Sequence, residues 1–120
     1  MTEIKMTSIN YEDLKEFVFS SFVAMGLNKL DAEIFSDALM FSELRFLSGQ
    51  GQGVQRITTY FKRIQNKEVN LNSDYEIIKE SSSLALVDAK NGIGTIQASK
   101  CMDIAIQKAQ NEGIGKVIIK

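Results

Sequence analysis

Histidine is absent from this 120-residue chain. That absence removes Ser-His and Cys-His nucleophile pairs, His-ligated zinc and any imidazole base from its chemistry. Proline is absent too, so helix and loop ends must be read from Gly, Asn, Asp and Ser. The one cysteine, Cys101, leaves no intrachain disulfide and sets a reducing, cytoplasmic environment as the expectation. No apolar run approaches the ~18 residues of a membrane span, and "MTEIKMTSIN" lacks the apolar core of a signal peptide. The 14 basic and 15 acidic residues are well mixed, giving a net charge of −1 and no basic block. Nucleic acid is therefore not an expected partner, and neither a membrane nor a metal ion is expected.

What is present reads as a globular chain, with 44% hydrophobic and 24% charged residues. Residues 11 to 25 have the spacing of an amphipathic helix, with Asn10 as N-cap and Asp13 three residues on. Leu14, Phe17, Val18 and Phe22 mark its apolar face, and Gly26 supplies the left-handed stop. Asn28 and Asp31 repeat the cap signal for a second helix running to about Arg45 or Leu47. Leu30, Ile34, Ala38 and Phe41 mark its expected face, with Phe35, Leu39 and Ser42 beside it. The short break at Gly26 favours a helical hairpin. A third helix is expected over about 54 to 66, with Val54, Ile57, Phe61 and Ile64 as its apolar row. Arg56, Tyr60 and Arg63 share another face at +4 and +3 spacing.

The texture changes at the polar stretch 66 to 74. "YEIIKE" and "LALVDA" read as strands, and "KNGIG" as a turn. Residues 95 to 111 form an expected helix with Thr95 as cap and Ile96, Met102, Ala105, Ile106 and Ala109 as contacts. Gly113 or Gly115 ends it, and "KVIIK" is a third strand. The predicted fold class is α+β: an N-terminal helical hairpin and third helix followed by a β-β-α-β unit. The helical part covers 1 to 66 and the strand-rich part 75 to 120 of a single N-terminal region, 1 to 120. An apolar Val117-Ile118-Ile119 strand asks for neighbours and cover. The expectation is thus an incomplete part of a longer protein; a small complete domain, or one finished by dimerisation, is the alternative.

Two glycine-rich turns are candidate sites. In "FLSGQGQGVQR", residues 46 to 56, three of the chain's eight glycines fall in five residues. The preceding helix and the missing Gly-Lys-Ser/Thr speak against a phosphate loop. A tight turn between helices explains the glycines through their tolerance of positive φ. An active-site turn explains them as well: Gln52, Arg56 and Tyr60 recur every four residues, so an amide, a guanidinium and a phenol project together. That trio suits a carboxylate, and a solvated polar stripe is the plain alternative. "NGIG", 91 to 94, opens a helix and fits either an anion site or an ordinary βα turn. Cys101 sits among Ala and Met and reads as a buried structural thiol.

The run "SELRFLSGQGQGVQRITTYFKRIQNKEVN", 42 to 70, resembles the N-terminal signature of the malate/L-lactate dehydrogenase family, non-Rossmann type. Members typically show Leu-Arg-Gly, then Asp-Ser-His-Gly-Val-x-Arg, and a Tyr four residues past that Arg. "LALVDAKNGIGTIQASKCMDIAIQKAQNEGIGKVIIK", 84 to 120, is similar to the family's next block. The resemblance covers nearly the whole chain but only about the first third of a member. It implies that Arg56 grips a substrate carboxylate and that Tyr60 lies beside it. Gln52 falls at the family's catalytic-region histidine and Gly51 at its serine. Both are departures, and a glutamine does not shuttle protons near neutral pH. The family's Asn-Ser-x-His stretch would begin beyond Lys120.

By this resemblance the chain is expected to be the N-terminal part of an NAD- or NADP-dependent oxidoreductase of small 2-hydroxy or 2-oxo acids. A homodimer is the expected assembly, with the main cofactor-binding segments outside these residues and the isolated chain inactive. A second expectation is a non-catalytic, diverged or truncated relative acting as a dimerisation or acid-binding module. A free-standing helical interaction domain accounts for the helices but not for the β-α-β half.

Overall fold

The computed structural model describes residues 5–46, 53–71 and 73–120. Four helices and three strands follow in the order α1 (Tyr11–Ala24), α2 (Lys29–Leu44), α3 (Arg56–Gln65), β1 (Glu76–Glu80), β2 (Leu84–Asp88), α4 (Gly94–Glu112) and β3 (Lys116–Ile119). The architecture is α+β, as the sequence predicts. The triple-glycine turn and Gln52 lie mostly outside the described residues, which resume at Gly53.

Local signals set most helix ends. Asn10 Oδ1 accepts the Glu12 N–H at 2.9 Å and the Asp13 N–H at 3.3 Å. Asn28 Oδ1 accepts the Asp31 N–H at 2.9 Å. Both satisfy amides that a helix start leaves without partners. At the far end of α1, Gly26 takes φ +106°. There the Gly26 N–H donates to the Val23 carbonyl and the Leu27 N–H to that of Phe22, which is the paired closure of a Schellman motif. α3 closes the same way without glycine, through Lys67 at φ +56°, with Lys67 N–H on Ile64 and Glu68 N–H on Arg63. α4 is not capped by Thr95 as expected: Ile93 holds the N-cap position and no side chain caps it. Gly113, at φ +82°, ends α4.

Two apolar clusters make the interior. The larger joins Val18 and Phe22 of α1, Ala32, Phe35, Leu39 and Met40 of α2, Tyr60 of α3, and Ile93 and Ile96 at the start of α4. Phe35 is its centre, stacked on Phe22 at 4.5 Å and meeting Tyr60 edge-on at 4.6 Å. The smaller cluster sets Ala85 and Val87 of β2 against Cys101 of α4, with Tyr75, Ile104 and Val117 around them.

The expected face of α2 is corrected by about one position. Its buried row is Ala32, Phe35, Ser36, Leu39 and Met40, while Leu30 and Phe41 are 65% and 54% exposed. The reason is tertiary: Asp31, whose N–H is held by Asn28, faces inward to meet Lys100 of α4 at 2.9 Å. Likewise Phe17, Phe61, Met102 and Ile106, all expected as apolar contacts, are exposed. α3 begins at Arg56 rather than near Val54, which lies in the preceding turn.

The sheet has the order β1-β2-β3. β1 and β2 are antiparallel with a bulge between Ile77 and Lys79, and β2 and β3 are parallel, with α4 as the crossover. Registers pair Ala85 with Val117 and Val87 with Ile119, so these residues face α4. The crossover returns to β3 through Gly115. A Cβ there would stand 1.9 Å from the Ala105 carbonyl oxygen, so only glycine lets the connection pass this close to the helix.

Candidate active site

Arg56 and Tyr60 lie one helical turn apart on α3, as the spacing predicts, and both line the same cleft of about 270 Å³. Phe35, Ala38, Leu39 and Ser42 of α2 form the opposite wall, and Gly94 and Thr95 of α4 close one end. Three elements far apart in sequence thus converge on one concavity. Arg56 is half-buried. Its guanidinium carbon lies 5.5 Å from the centre of the Tyr60 ring, and that of Arg63 lies at 5.5 Å as well. Two cations therefore lie near one aromatic ring, in the range of cation–π attraction.

Tyr60 has more to do than the sequence reading gave it. It is only 7% exposed and belongs to the main core cluster. The Arg56–Tyr60–Arg63 row is therefore no solvated stripe. Tyr60 anchors α3 to Phe35, and Arg56 is carried to the cleft by that anchor. Gln52, a candidate site residue from the sequence, lies outside the described residues.

Sequence reasoning missed Glu43. Its carboxylate accepts the Val54 N–H at 2.9 Å, tying the end of α2 to the turn before α3. Eleven residues separate the two, so no local pattern announces the contact. From the sequence, Ser42, Ala38 and Thr95 read only as helix-face or cap residues. Their place on the cleft follows from how α2 meets α4.

The first turn of α4 adds polarity to the cleft end. Its first backbone N–H groups carry the partial positive charge of a helix start, and no side chain caps them. The preceding turn, Lys90-Asn91, takes φ +51° and +59°, with the Gly92 N–H donating to Ala89 at 2.9 Å. Gly92 is packed closely by the chain's own side chains. A Cβ there would meet Gln97 Nε2 and Ser73 Oγ, each at 2.6 Å, so the space is already filled. Cys101 is buried, and its desolvation holds the thiol above its ordinary pKa, which disfavours the thiolate and agrees with a structural role. Among the described residues no group of three His, Cys, Asp or Glu side chains is placed to hold a metal ion. No helix among them is long and apolar enough to cross a membrane.

Comparison with known proteins places this arrangement. The family model for malate/L-lactate dehydrogenase matches residues 9–120. The malate dehydrogenase of Pyrococcus abyssi is 35% identical over 109 residues, which is 91% of this chain and 30% of that protein. The L-sulfolactate dehydrogenase of Methanocaldococcus jannaschii is 30% identical over 106 residues, 88% of this chain and 30% of its own length. The solved structure of malate dehydrogenase from Pyrococcus horikoshii superposes with a TM-score of 0.88 at 31% identity, covering 99% of this chain and 35% of that one. The chain thus spans about 30% of the length of the curated relatives it matches. With a family model matched from residue 9 to residue 120, the chain belongs to the malate/L-lactate dehydrogenase family.

Proposed function

We propose that this chain forms the acid-holding side of an NAD(P)-dependent oxidoreductase acting on small 2-hydroxy or 2-oxo acids. The observation that carries the reading is the shared cleft of Arg56 and Tyr60, in a chain of this family. A guanidinium offers two parallel N–H donors to a carboxylate. Phe35 and Leu39 at its back exclude water from one side, which strengthens such a pair. Tyr60, fixed against Phe35, holds the α3 face that presents Arg56. The hydride chemistry belongs to the nicotinamide cofactor, NAD or NADP, and none of the described residues is assigned to it. Relatives that are named malate and sulfolactate dehydrogenases support a small organic acid as substrate. A homodimer in the cytoplasm belongs to the same proposal.

Titration of the chain with malate and oxaloacetate, followed by amide NMR, tests it. Arg56→Lys keeps the charge but loses the fork, and is expected to bind several-fold more weakly. Arg56→Ala is expected to lose at least about tenfold in affinity. Unchanged binding by Arg56→Ala overturns the assignment.

Gln52 in place of the family histidine favours one other reading, a non-catalytic acid-binding or dimerisation module. Saturable NADH binding by this chain counts against that alternative.

A further inference from the structure

Asn91 is the only asparagine of the chain that is followed by glycine, and it stands exposed in the turn that opens α4. We propose that the Asn91-Gly92 step is a self-acting deamidation site whose rate is set by a clamp from the connection between α3 and β1. The inference is independent of the carboxylate reading given above.

The fold itself imposes this dipeptide. Position 91 takes φ +59°, a region that asparagine tolerates better than most residues. Its Nδ2 donates to the Glu68 carbonyl at 3.0 Å. A Cβ at position 92 would stand 2.6 Å from Gln97 Nε2 and Ser73 Oγ and 3.1 Å from the Ala89 carbonyl oxygen, so glycine is required there. Glycine brings no side chain to shield its own backbone nitrogen, which is the attacking atom in this chemistry.

The step needs only water and hydroxide. The Gly92 nitrogen, its proton taken by hydroxide, attacks Asn91 Cγ. The N–Cγ bond forms, the Cγ–Nδ2 bond breaks, and Nδ2 leaves as ammonia with a proton from water. Water then opens the cyclic imide at either carbonyl carbon, giving aspartate or isoaspartate. An amide and a water become a carboxyl group and an ammonia, with nothing oxidised or reduced.

In the fold both reacting groups are engaged elsewhere. The Gly92 N–H donates to the Ala89 carbonyl at 2.9 Å, and Nδ2, the leaving group, is held by Glu68. The Asn91 carbonyl accepts the Asn70 N–H at 2.9 Å. Val69, between those two contacts, is 9% exposed and belongs to the core cluster that includes Ile93. Attack therefore waits for residues 68 to 70 to lift off, which is a local opening. The product does not restore the clamp: a carboxylate only accepts, so two acceptors would meet at Glu68. Isoaspartate also lengthens the main chain just ahead of Gly94 and Thr95, which wall the cleft at Arg56. Modification at Asn91 is thus coupled to the shape of that cleft.

The test is incubation of the purified chain at mildly alkaline pH, followed by peptide mapping in a mass spectrometer. Asn91 is expected to convert ahead of the other asparagines, and at least about tenfold more slowly in the folded chain than in the urea-unfolded one. Val69→Ala, its fold checked by circular dichroism, is expected to convert several-fold faster than wild type. A urea series on wild type, below the unfolding midpoint, carries the test if that variant does not fold. There the rate is expected to rise far less steeply than global unfolding, because lifting residues 68 to 70 exposes little surface. The deamidated chain is expected to lose amide protection at Asn70 and to shift the NMR signals of Gly94 and Thr95. A rate equal in folded and unfolded chains, unchanged by Val69→Ala, or rising in step with global unfolding overturns the clamp. Earlier conversion at another asparagine, or none at Asn91 in either folded protein, overturns the site.

Discussion

At the scale of single residues, the sharpest constraint is a missing atom. Gly115 lets the chain leave α4 and enter β3 directly over the Ala105 carbonyl, where a Cβ would stand 1.9 Å from the oxygen. Gly115→Ala must push the connection away from the helix and disturb the β2–β3 register. It is expected to cost about 1–3 kcal/mol, read as a lower urea midpoint. The same change at Gly94, where a Cβ meets nothing within 4 Å, should lie within about 0.5 kcal/mol of wild type. The sequence marks both positions as turn glycines. Only the packing of the connection on α4 separates the one that is required from the one that is not.

Among elements, α3 is the one that carries the proposed chemistry, and its placement depends on contacts from its neighbours. It has ten residues and no side-chain cap of its own, too short to persist alone in water. Tyr60 against Phe35 holds its middle, and Glu43 holds the turn at its start through the Val54 N–H. Glu43→Ala removes a charge-assisted hydrogen bond that is partly buried, and about 1.5–3 kcal/mol of stability is expected to go with it. Fast amide exchange at 54 to 58 should accompany the loss, because the turn is freed before the helix is. Protection at those amides equal to wild type would contradict the role given to Glu43. The helix itself was legible from its spacing, as were the Asn caps of α1 and α2. The tie from Glu43 was not, because it joins residues eleven apart across a turn.

For the molecule as a whole, α4 is the joint. Its first turn belongs to the helical core through Ile93 and Ile96, and its middle covers the sheet through Cys101 and Ile104. The Asp31–Lys100 pair, at 2.9 Å and buried on its aspartate side, fastens the two halves. Asp31 Oδ1 receives no hydrogen bond of good geometry, so the Lys100 charge is its main compensation. Lys100→Met leaves a carboxylate that is 4% exposed without a counter-charge, and about 3–5 kcal/mol of destabilisation is expected in urea unfolding. The double variant with Asp31→Asn should recover part of that loss.

Acid stability is another whole-molecule property, and its sign follows from Asp88. The Lys90 N–H, donating at 2.8 Å, holds this carboxyl below its ordinary pKa against the opposing effect of burial, and the Lys120 and Lys90 charges add to it. A carboxyl lowered in the fold stabilises it above the unfolded pKa, about 3.9. That contribution is lost as pH falls through the lower folded value. Urea midpoints should therefore drop below about pH 4, and Asp88→Asn should make that limb shallower.

The sequence by itself determined the elements, the caps at Asn10 and Asn28, the stop at Gly26, an end of α4 at Gly113 or Gly115, the family, and the shared face of Arg56 and Tyr60. These are local matters, fixed by side-chain spacing, by hydrogen bonds within a turn and by which residues tolerate positive φ. Tertiary structure alone decided which face of α2 is buried, because Asp31 turns inward to reach a lysine 69 positions later. It also decided that Tyr60 belongs to the core, that Glu43 holds the start of α3, and that Ser42, Ala38 and Thr95 meet Arg56 around one cleft. Those outcomes depend on how far-separated surfaces fit together, and one-dimensional periodicity carries no term for that.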